Sequence, residues 1–415
     1  MDSKSTLTRR ELLALSAGLT AGLLEPVRAV AAAAKPVRIR DIETFRLNLP
    51  ASPADLEISE KIGYGVNHVF RSTSWVVKIT TDVGVTGYSF AGYPPDALPQ
   101  LRRILAGQDL FAVERHLQNG LERYGGAEHA VWDAIGKIAG LPVYRLLGGS
   151  ATSVKPYLTL VWRGKLDQSH VSYDEQAAMA LKVKQAGFKG IKIRAWRPNP
   201  LDDAEACGVI RSAVGPDFAI MFDRTARMPE SVGQKTWDYE TALKVARALE
   251  KHSAYWLEEP FAREDYQLPA RLAAAVEIPI TGGEGYRGLG PFRQCVVNQT
   301  YDILQPDGVG CGGIFNCRKV ATLAQAFGFR CVLHGIMALS LAGWIQANLA
   351  IGSEWQEFGH IIPPVLPQEQ WAPSLKVLKS AEVFPIRDGA IQAPEYPGIG
   401  LDVDEEAISR FRVRA

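Results

Sequence analysis

The feature that most constrains the fold is a regular alternation of strand-like and helix-like segments from about residue 154 onward. Apolar runs such as "KPYLTLV", "KGIKIRA" and "FAIMFD" are each followed by a helical pattern. In one pattern, "YETALKVARALEK", a single helix face carries Ala242, Val245, Ala246 and Leu249. Eight strand segments separated by helical ones predict an α/β fold with a parallel sheet closed into a (β/α)8 barrel of the TIM type. An open, doubly wound sheet is the alternative.

The chain before residue 154 has a different pattern. The runs "VRIRDIETFRLNL" and "STSWVVKITTDVGVTGYSF" are typical of a strand meander, and helical patterns such as "FAVERHLQNGLER" follow them. We therefore predict an N-terminal α+β domain at 35–153 and the barrel at 154–373. The tail 374–415 has short strand-like runs, and we expect it to pack back on the N-terminal domain.

The first 34 residues have the pattern of a secretory signal. Arg9 and Arg10 precede a short apolar stretch, Leu12–Leu24, and then the small-residue run "AVAAAAKP". The paired arginines indicate a twin-arginine signal peptide at 1–34 and a periplasmic, or otherwise extracytoplasmic, location. A bilayer span needs about 20 apolar residues, so we expect no stable membrane insertion after export.

Charge and cysteine usage exclude some classes of function. The net charge is +1 and the chain has no basic run, which argues against a nucleic-acid partner. The five cysteines form no C-x-x-C pair and are odd in number, so we expect small buried hydrophobic residues rather than disulfides. The run "GVGCGG" matches a dinucleotide-binding pattern, but the acid expected about 20 residues later is absent, which argues against NAD.

Polar residues end the predicted barrel strands at intervals of about one strand–helix unit. They are Lys192, Arg194, Asp223, Glu258, Glu284, Asp307, His334 and Glu357. In a barrel, the C-terminal ends of the strands converge on one mouth, where catalytic groups lie. A single acid at such a position is more often a solvated loop residue, but a series on successive strands indicates a site.

Two kinds of chemistry follow from these residue types. Asp223, Glu258 and Glu284 offer an all-oxygen ligand set from three consecutive strands, which suits Mg2+. Asp307 and His334 lie on neighbouring strands, and a carboxylate that holds one imidazole nitrogen produces a positioned general base. Glu259 is expected to face away from Glu258, because adjacent side chains on a strand point to opposite faces.

The strand-end motifs also resemble those of a known family. "WDAIGKIAGLPVYRLLGG" at 132–149 is followed, in order, by "KIR", "FDR", "LEEP", "GGE", "QPDGVGCGG", "VLHG" and "EWQE". From about Val37 to the C-terminus the chain is similar to the mandelate racemase–muconate lactonizing enzyme group of the enolase superfamily. The resemblance implies a capping role for the N-terminal domain, one Mg2+ per subunit and a homo-oligomer.

The resemblance also implies roles for individual residues. Asp223, Glu258 and Glu284 would bind the metal, and Asp307 with His334 would form the catalytic dyad. Glu357 matches a position that donates a hydrogen bond to the substrate carboxylate, and Lys192 matches the first lysine of a Lys-x-Lys motif. The second lysine, a base in racemases of the group, is Arg194 here, and Thr225 stands where asparagine is common. Arginine keeps its proton, so Arg194 is expected to clamp an anion or leaving group rather than act as a base.

These expectations lead to a function. Removal of the proton α to a carboxylate would give an enediolate that Mg2+, Lys192 and Glu357 stabilise. With His334 as the single base identified, we expect elimination of a β-hydroxyl, that is, dehydration of a sugar acid to a 2-keto-3-deoxy acid. A racemase or epimerase is the alternative, and an exported, non-catalytic carbohydrate-acid binding protein is a third possibility.

Substrate contacts are expected from the loop Ala51–His68 of the capping domain and from the end of the first barrel strand. The polar and aromatic candidates there are Tyr64, Asn67, His68, Trp162 and Arg163. The alternative for each of them is an ordinary loop residue that has no role in substrate binding. The expected partner is a small-molecule carboxylate.

Overall fold

The computed structural model describes residues 35–49, 75–149, 151–162, 167–225, 236–335, 338–361 and 366–413. The predicted signal at 1–34 lies outside these ranges. So do four of the candidate substrate residues, Tyr64, Asn67, His68 and Arg163.

The N-terminal region contains an antiparallel sheet and a set of helices. The strands are β1 (Ile39–Arg46), β2 (Trp75–Thr81) and β3 (Thr86–Ser89), which pair in chain order. The helices are α1 (Leu98–Leu105), α2 (Val113–Gln118), α3 (Gly125–Ala139) and α4 (Val143–Leu146). The single helix predicted over "FAVERHLQNGLER" is divided, because Gly120 has a φ of 107°, in the left-handed region that ends a helix.

Eight parallel strands form the barrel, which confirms the predicted fold class. They are β4 (Ser153–Leu160), β5 (Gly190–Arg194), β6 (Ala219–Asp223), β7 (Trp256–Glu258), β8 (Ile280–Gly282), β9 (Ile303–Leu304), β10 (Arg330–Cys331) and β11 (Trp355–Ile361). Neighbours in the chain pair in parallel from β4 to β10, and β11 pairs in parallel with β4. Between β10 and β11, the Gly335 amide donates to the Glu357 carboxylate at 2.8 Å.

A helix follows each of these strands. They are α5 (Tyr173–Gln185), α6 (Leu201–Val214), α7 (Tyr239–Lys251), α8 (Gln267–Ala273), α9 (Gly290–Asn298), α10 (Ile314–Ala326), α11 (Leu341–Ile351) and α12 (Pro367–Leu375). Side chains cap two of them at the start, since Ser172 accepts from Glu175 and Asp238 accepts from Thr241. The apolar face predicted for α7 is the buried one.

The C-terminal tail contacts both parts of the molecule. Its hairpin, β12 (Ile386–Arg387) and β13 (Ala390–Gln392), adds antiparallel to β4. Its last helix, α13 (Glu405–Phe411), brings the Glu405 carboxylate to the N-terminal sheet, where the Tyr88 hydroxyl donates to it at 2.6 Å. The exact domain limits stay a prediction.

The barrel interior is filled by large side chains beneath the strand ends. This layer consists of Tyr157, Ala219, Met221, Trp256, Ile303, Val332 and Trp355. A packed barrel interior of this kind leaves the C-terminal ends of the strands as the place where such folds carry their sites. All five cysteines are free, as predicted. None of the helices in the described ranges combines the length and apolar character of a membrane span.

Candidate active site

Lys192 lies at the centre of the strand-end cluster. It is on β5, its side chain is fully buried, and its Nζ lies 2.9 Å from Glu258, 2.9 Å from Glu357 and 3.4 Å from Asp223. Burial alone would lower the pKa of this amine, but the Glu258 and Glu357 carboxylates raise it well above its usual value. Lys192 is therefore a fixed positive charge, not a base.

The three predicted metal ligands come from adjacent strands. Asp223 ends β6 and is opposite Glu258, the last residue of β7, in the parallel ladder; Glu284 lies two residues beyond β8. Burial, followed by repulsion from Asp223, raises the pKa of Glu258 to about 8. Burial would also raise the pKa of Glu284, but His334 and Arg263 hold it well below its usual value.

These carboxylates fit a divalent cation in donor type and charge, although they are not gathered into a ready ligand set. Within the described ranges, no three acidic, histidine or cysteine side chains are arranged as a complete metal site. The site nevertheless gathers six carboxyl groups near the fixed cations of Lys192, Arg194 and Arg263. Those of Asp223, Glu258, Glu259 and Glu357 are buried, and those of Glu284 and Asp307 are partly buried. With every carboxyl group ionised and His334 protonated, negative charge would exceed positive by two, and the pKa of Glu258, which burial and the neighbouring acids raise to about 8, reflects the cost of that excess. Buried charges require compensation, and a hard divalent ion supplies it to oxygen donors.

The two departures from the family pattern, Arg194 and Thr225, are in contact with each other. Its Nη1 donates to the carboxylate of Asp223 and to the hydroxyl of Thr225. Thr225 in turn donates its hydroxyl to Asp223 at 2.6 Å and its amide at 2.7 Å, with a φ of 45°. The Nη1 end of this guanidinium therefore holds a predicted metal ligand, whereas the sequence suggested a clamp on the substrate.

The predicted dyad is present as a geometric pair. Asp307 and His334 form a parallel bridge between neighbouring strands, and His334 Nδ1 lies 2.9 Å from Asp307 Oδ2. The other imidazole nitrogen, Nε2, lies 3.0 Å from Glu284. Burial lowers the pKa of His334, but the contacts with Glu284 and Asp307 outweigh it and raise the pKa well above its usual value. Nε2 thus faces the same mouth as the metal-ligand candidates.

The hydrogen bonds of Glu357 in the structure differ from those that the resemblance implies. Its carboxylate accepts hydrogen bonds from the Thr159 hydroxyl and the Gly335 amide, and it pairs with Lys192. Burial acts to raise its pKa, but Lys192 and then His334 lower it to about 2. Such a group is ionised at neutral pH and accepts hydrogen bonds, so in this arrangement it does not supply the expected donor to a substrate carboxylate.

Sequence reasoning missed Arg263, which connects two acids of the site. Its guanidinium donates to both Glu259 oxygens at 2.8 Å and also to Glu284. Glu259 lies just beyond the end of β7 with a φ of 45°, so the strand alternation expected for it does not apply. Its carboxylate pairs with Arg263, whereas that of Glu258 pairs with Lys192. The four-residue interval between Glu259 and Arg263 was the available signal, although it does not reveal the contact with Glu284.

Trp162 is the described member of the predicted substrate group. It follows β4, is 4 % exposed, and its indole N–H has no hydrogen-bond partner among the described residues. A buried N–H of this kind is costly unless something accepts from it. Trp237, Trp256, Trp344 and Trp371 share this property, so Trp162 stays a candidate for substrate contact on the strength of its position after β4.

The barrel and its acid-rich mouth define an enzyme whose site lies at the C-terminal ends of the strands. The chain belongs to the family described as Enolase C-terminal domain-like, whose sequence model matches residues 174–407. This confirms the resemblance to the enolase superfamily and its mandelate racemase–muconate lactonizing group.

Several named relatives are sugar acid dehydratases. Arabinonate dehydratase of Saccharolobus solfataricus is 29% identical over 291 residues, which cover 70% of this chain and 72% of the relative. D-galactonate dehydratase of Ralstonia nicotianae is 28% identical over 360 residues, 80% of this chain and 89% of the relative. The crystal structure of D-glucarate dehydratase from Agrobacterium tumefaciens complexed with magnesium has a TM-score of 0.72 at 25% identity, covering 91% of this chain and 99% of that one. Relatives of this kind are carbon–oxygen lyases, and cycloisomerases also occur among them.

Proposed function

We propose that this protein is a Mg2+-dependent lyase that dehydrates a sugar acid to a 2-keto-3-deoxy acid. The observation that carries the proposal is the pairing of one imidazole, His334, with Asp307, across the mouth from a strand that presents Arg194 instead of a lysine base. Elimination needs one base, whereas racemisation needs a base on each face of the substrate. The dehydratases among the relatives support the same reaction class.

In the proposed reaction, Asp223, Glu258 and Glu284 would hold the metal. When bound, the ion supplies positive charge where the substrate carboxylate gains negative charge on losing its α-proton. In the structure, Nε2 of His334 pairs with Glu284, which keeps the ring protonated. Once Glu284 binds the ion instead, Nε2 would lose this partner and be able to accept the α-proton, while Asp307 holds Nδ1 and stabilises the charged ring. The same imidazolium then protonates the departing β-hydroxyl, which leaves as water, and the resulting enol tautomerises to the 2-keto acid. Lys192 adds a fixed charge beneath the site.

Recognition of the polyhydroxy chain is proposed for the predicted substrate group. The free indole N–H of Trp162 would donate to a substrate hydroxyl or carboxylate oxygen. Tyr64, Asn67, His68 and Arg163 remain candidates from the sequence for closing over the substrate. A Trp162→Phe variant, which keeps the packing but removes the donor, should raise KM more than it lowers kcat.

The proposal is tested by screening mono- and diacid sugars for 2-keto acid formation, in EDTA and after Mg2+ is restored. We expect turnover of at least one acid with Mg2+ and none in EDTA. His334→Asn should abolish turnover while Mg2+ still raises the unfolding temperature. The matched control is His170→Asn, which changes an exposed histidine and should leave kcat unaltered. Normal turnover by His334→Asn would remove the dyad from the mechanism.

An isomerase is the second candidate, because cycloisomerases are among the relatives. Reaction in deuterated water separates the two. Dehydration should give a product that lacks one water and carries deuterium at C3, the carbon that bore the β-hydroxyl, because the enol takes up a solvent proton there. A product with the elemental composition of the substrate, apart from incorporated deuterium, would reject dehydration, and inverted configuration at the α-carbon would identify a racemase or epimerase.

We also propose export by the twin-arginine route and assembly as a homo-oligomer. Both rest on the sequence and on its family resemblance. Replacing Arg9 and Arg10 by lysine should retain the protein in the cytoplasm with residues 1–34 attached, which cell fractionation and intact mass measure. Sedimentation of the purified protein at the mass of one chain would contradict the oligomer.

A further inference from the structure

Helix α3 of the N-terminal region carries three buried polar side chains, and two of them contact the barrel. Glu128, His129 and Asp133 are 0 %, 1 % and 1 % exposed. Asp133 faces the N-terminal sheet and the tail, where it accepts from the amides of Tyr88 at 2.8 Å and Ile399 at 2.9 Å. Buried polar groups are costly unless they are paired, so the partners of the other two show what the helix holds in place.

His129 binds the residue that follows Asp307. Its Nε2 lies 2.9 Å from the carbonyl oxygen of Gly308, which can only accept, so Nε2 carries the proton. Burial lowers the pKa of His129 to about 4, so the ring is neutral under ordinary conditions. The ring meets Trp344 of α11 edge-on at 5.1 Å, and a methyl group on Gly308 would come within 2.7 Å of the same indole. Close packing therefore leaves Gly308 little freedom.

Glu128 binds the other end of the same loop. One of its oxygens accepts from the Ile314 amide at 2.9 Å, and the other accepts from the Phe315 amide at 3.0 Å and from the Trp132 indole at 2.7 Å. Ile314 and Phe315 begin α10, whose first amides have no partner within the helix. Gly313 packs directly on Glu128, since a methyl group there would approach its carboxyl carbon to 2.5 Å.

The segment between these two anchors, 308–313, orients the catalytic acid. The amides of Val309 and Gly310 both donate to Oδ1 of Asp307. The other oxygen of Asp307 holds His334. The position of the imidazole thus depends on a loop whose two ends are fixed by a helix from outside the barrel.

We propose that Glu128 and His129 are positioning residues for the dyad. They hold segment 308–313, and the segment orients the Asp307 carboxylate towards His334. The N-terminal region then has a part in the proton transfer itself, in addition to any contact with substrate. The catalytic consequence rests on the proposed function, whereas the effect on the loop does not.

The first test measures the loop without turnover. Hydrogen–deuterium exchange of the full chain in EDTA is compared for the parent, His129→Leu, His129→Gln and Asp133→Asn. His129→Leu should speed exchange in the peptide that covers 308–313, because it removes the donor to Gly308. His129→Gln, whose amide can restore that hydrogen bond, should return exchange towards the parent rate. Asp133→Asn, on the same helix, should leave this peptide unchanged.

The second test measures kinetics on whichever acid sugar is turned over. Displacement of catalytic groups by about 1 Å costs about 10²-fold in rate, so His129→Leu should lower kcat by about that factor with KM nearly constant. His129→Gln should recover most of the loss, and Asp133→Asn should keep the parental kcat. If His129→Leu does not fold, Glu128→Gln replaces it, with faster exchange expected at Ile314 and Phe315 and a similar loss of kcat.

Two results would overturn the proposal. One is parental exchange over 308–313 in His129→Leu or, if that variant does not fold, at 314–315 in Glu128→Gln. The other is an equal loss of kcat in His129→Leu, His129→Gln and Asp133→Asn, which would show a general packing effect. A failure to find any substrate would count against the proposed function alone, because the exchange measurement would still decide whether α3 holds the loop.

Discussion

Replacing Lys192 by methionine should strongly destabilise the protein, even though methionine is apolar and similar in length. The side chain is fully buried, and its ammonium is shared by Glu258, Glu357 and Asp223 at 2.9, 2.9 and 3.4 Å. Methionine would fill the space but leave three buried carboxylates without this counter-charge. Removal of one partner from a buried ion pair costs about 3–5 kcal/mol.

The upper part of that range, about 5 kcal/mol, is expected here because one ammonium serves three acids. A domain is stable by about 5–15 kcal/mol in total, so Lys192→Met should be only marginally folded in EDTA. Mg2+ should stabilise the variant more than the parent, because in the parent both oxygens of Glu258 accept hydrogen bonds from the Lys192 ammonium and in the variant they do not. A ligand at 100 times its Kd contributes about 2.7 kcal/mol.

Urea unfolding in EDTA and in Mg2+ measures both effects. Lys251→Met is the control, because Lys251 is exposed at the end of α7 and surface changes alter stability by only about 0.5 kcal/mol. An unfolding free energy of Lys192→Met equal to that of the control would refute the electrostatic account of the cluster. Equal Mg2+ stabilisation of variant and parent would refute the claim that Lys192 and the cation share these carboxylates.

Two further outcomes follow from two other buried ionisable groups of the barrel, Asp203 and Arg194. Burial raises the pKa of Asp203 to about 7, so its contribution to stability is present below about pH 4 and is lost as the pH rises to about 7. At about 1.4 kcal/mol per pKa unit, the stability of the parent relative to Asp203→Asn should fall by about 4 kcal/mol between pH 4 and pH 8, and a pH-independent difference in urea unfolding would contradict this. Arg194→Lys keeps a charge but cannot bridge Asp223 and Thr225, so dehydration should slow while the substrate α-proton begins to exchange with deuterated water. If mass spectrometry detects no such exchange, a second base at position 194 is not sufficient to give this protein racemase chemistry.

Much of the fold follows from local pattern. The face predicted for α7 is the buried one because a helix packed on a barrel must bury an apolar stripe. The strand-end residues meet because parallel strands in register bring their last residues together, as Asp223 and Glu258 do. Periodicity and order along the chain are sufficient for these conclusions.

Other features of the site depend on contacts between distant parts of the chain. His129 is 179 residues from Gly308, and Glu128 is 186 residues from Ile314. Glu128 and His129 lie just before the run 132–149, which was recognised in the sequence only as a family motif. No periodic pattern marks a buried acid whose partners are main-chain amides of another element. Arg194 and Thr225 were noted separately, and only the pairing of β5 with β6 brings them to the same carboxylate.

The charge balance of the mouth connects its stability with its proposed chemistry. Lys192, Arg194 and Arg263 each pair with at least two oxygen-bearing side chains, so every fixed cation already serves the acids around it. None of them is positioned as a proton acceptor, because arginine keeps its proton and the carboxylates around Lys192 hold its ammonium charged. We therefore assign proton transfer to His334, which Asp307 orients. Against the effect of burial, Glu284 and Asp307 raise the pKa of its imidazole, and it would become an acceptor once Glu284 bound the cation instead. Since a single such group is sufficient for elimination but not for inversion, the distribution of charge itself favours a dehydratase.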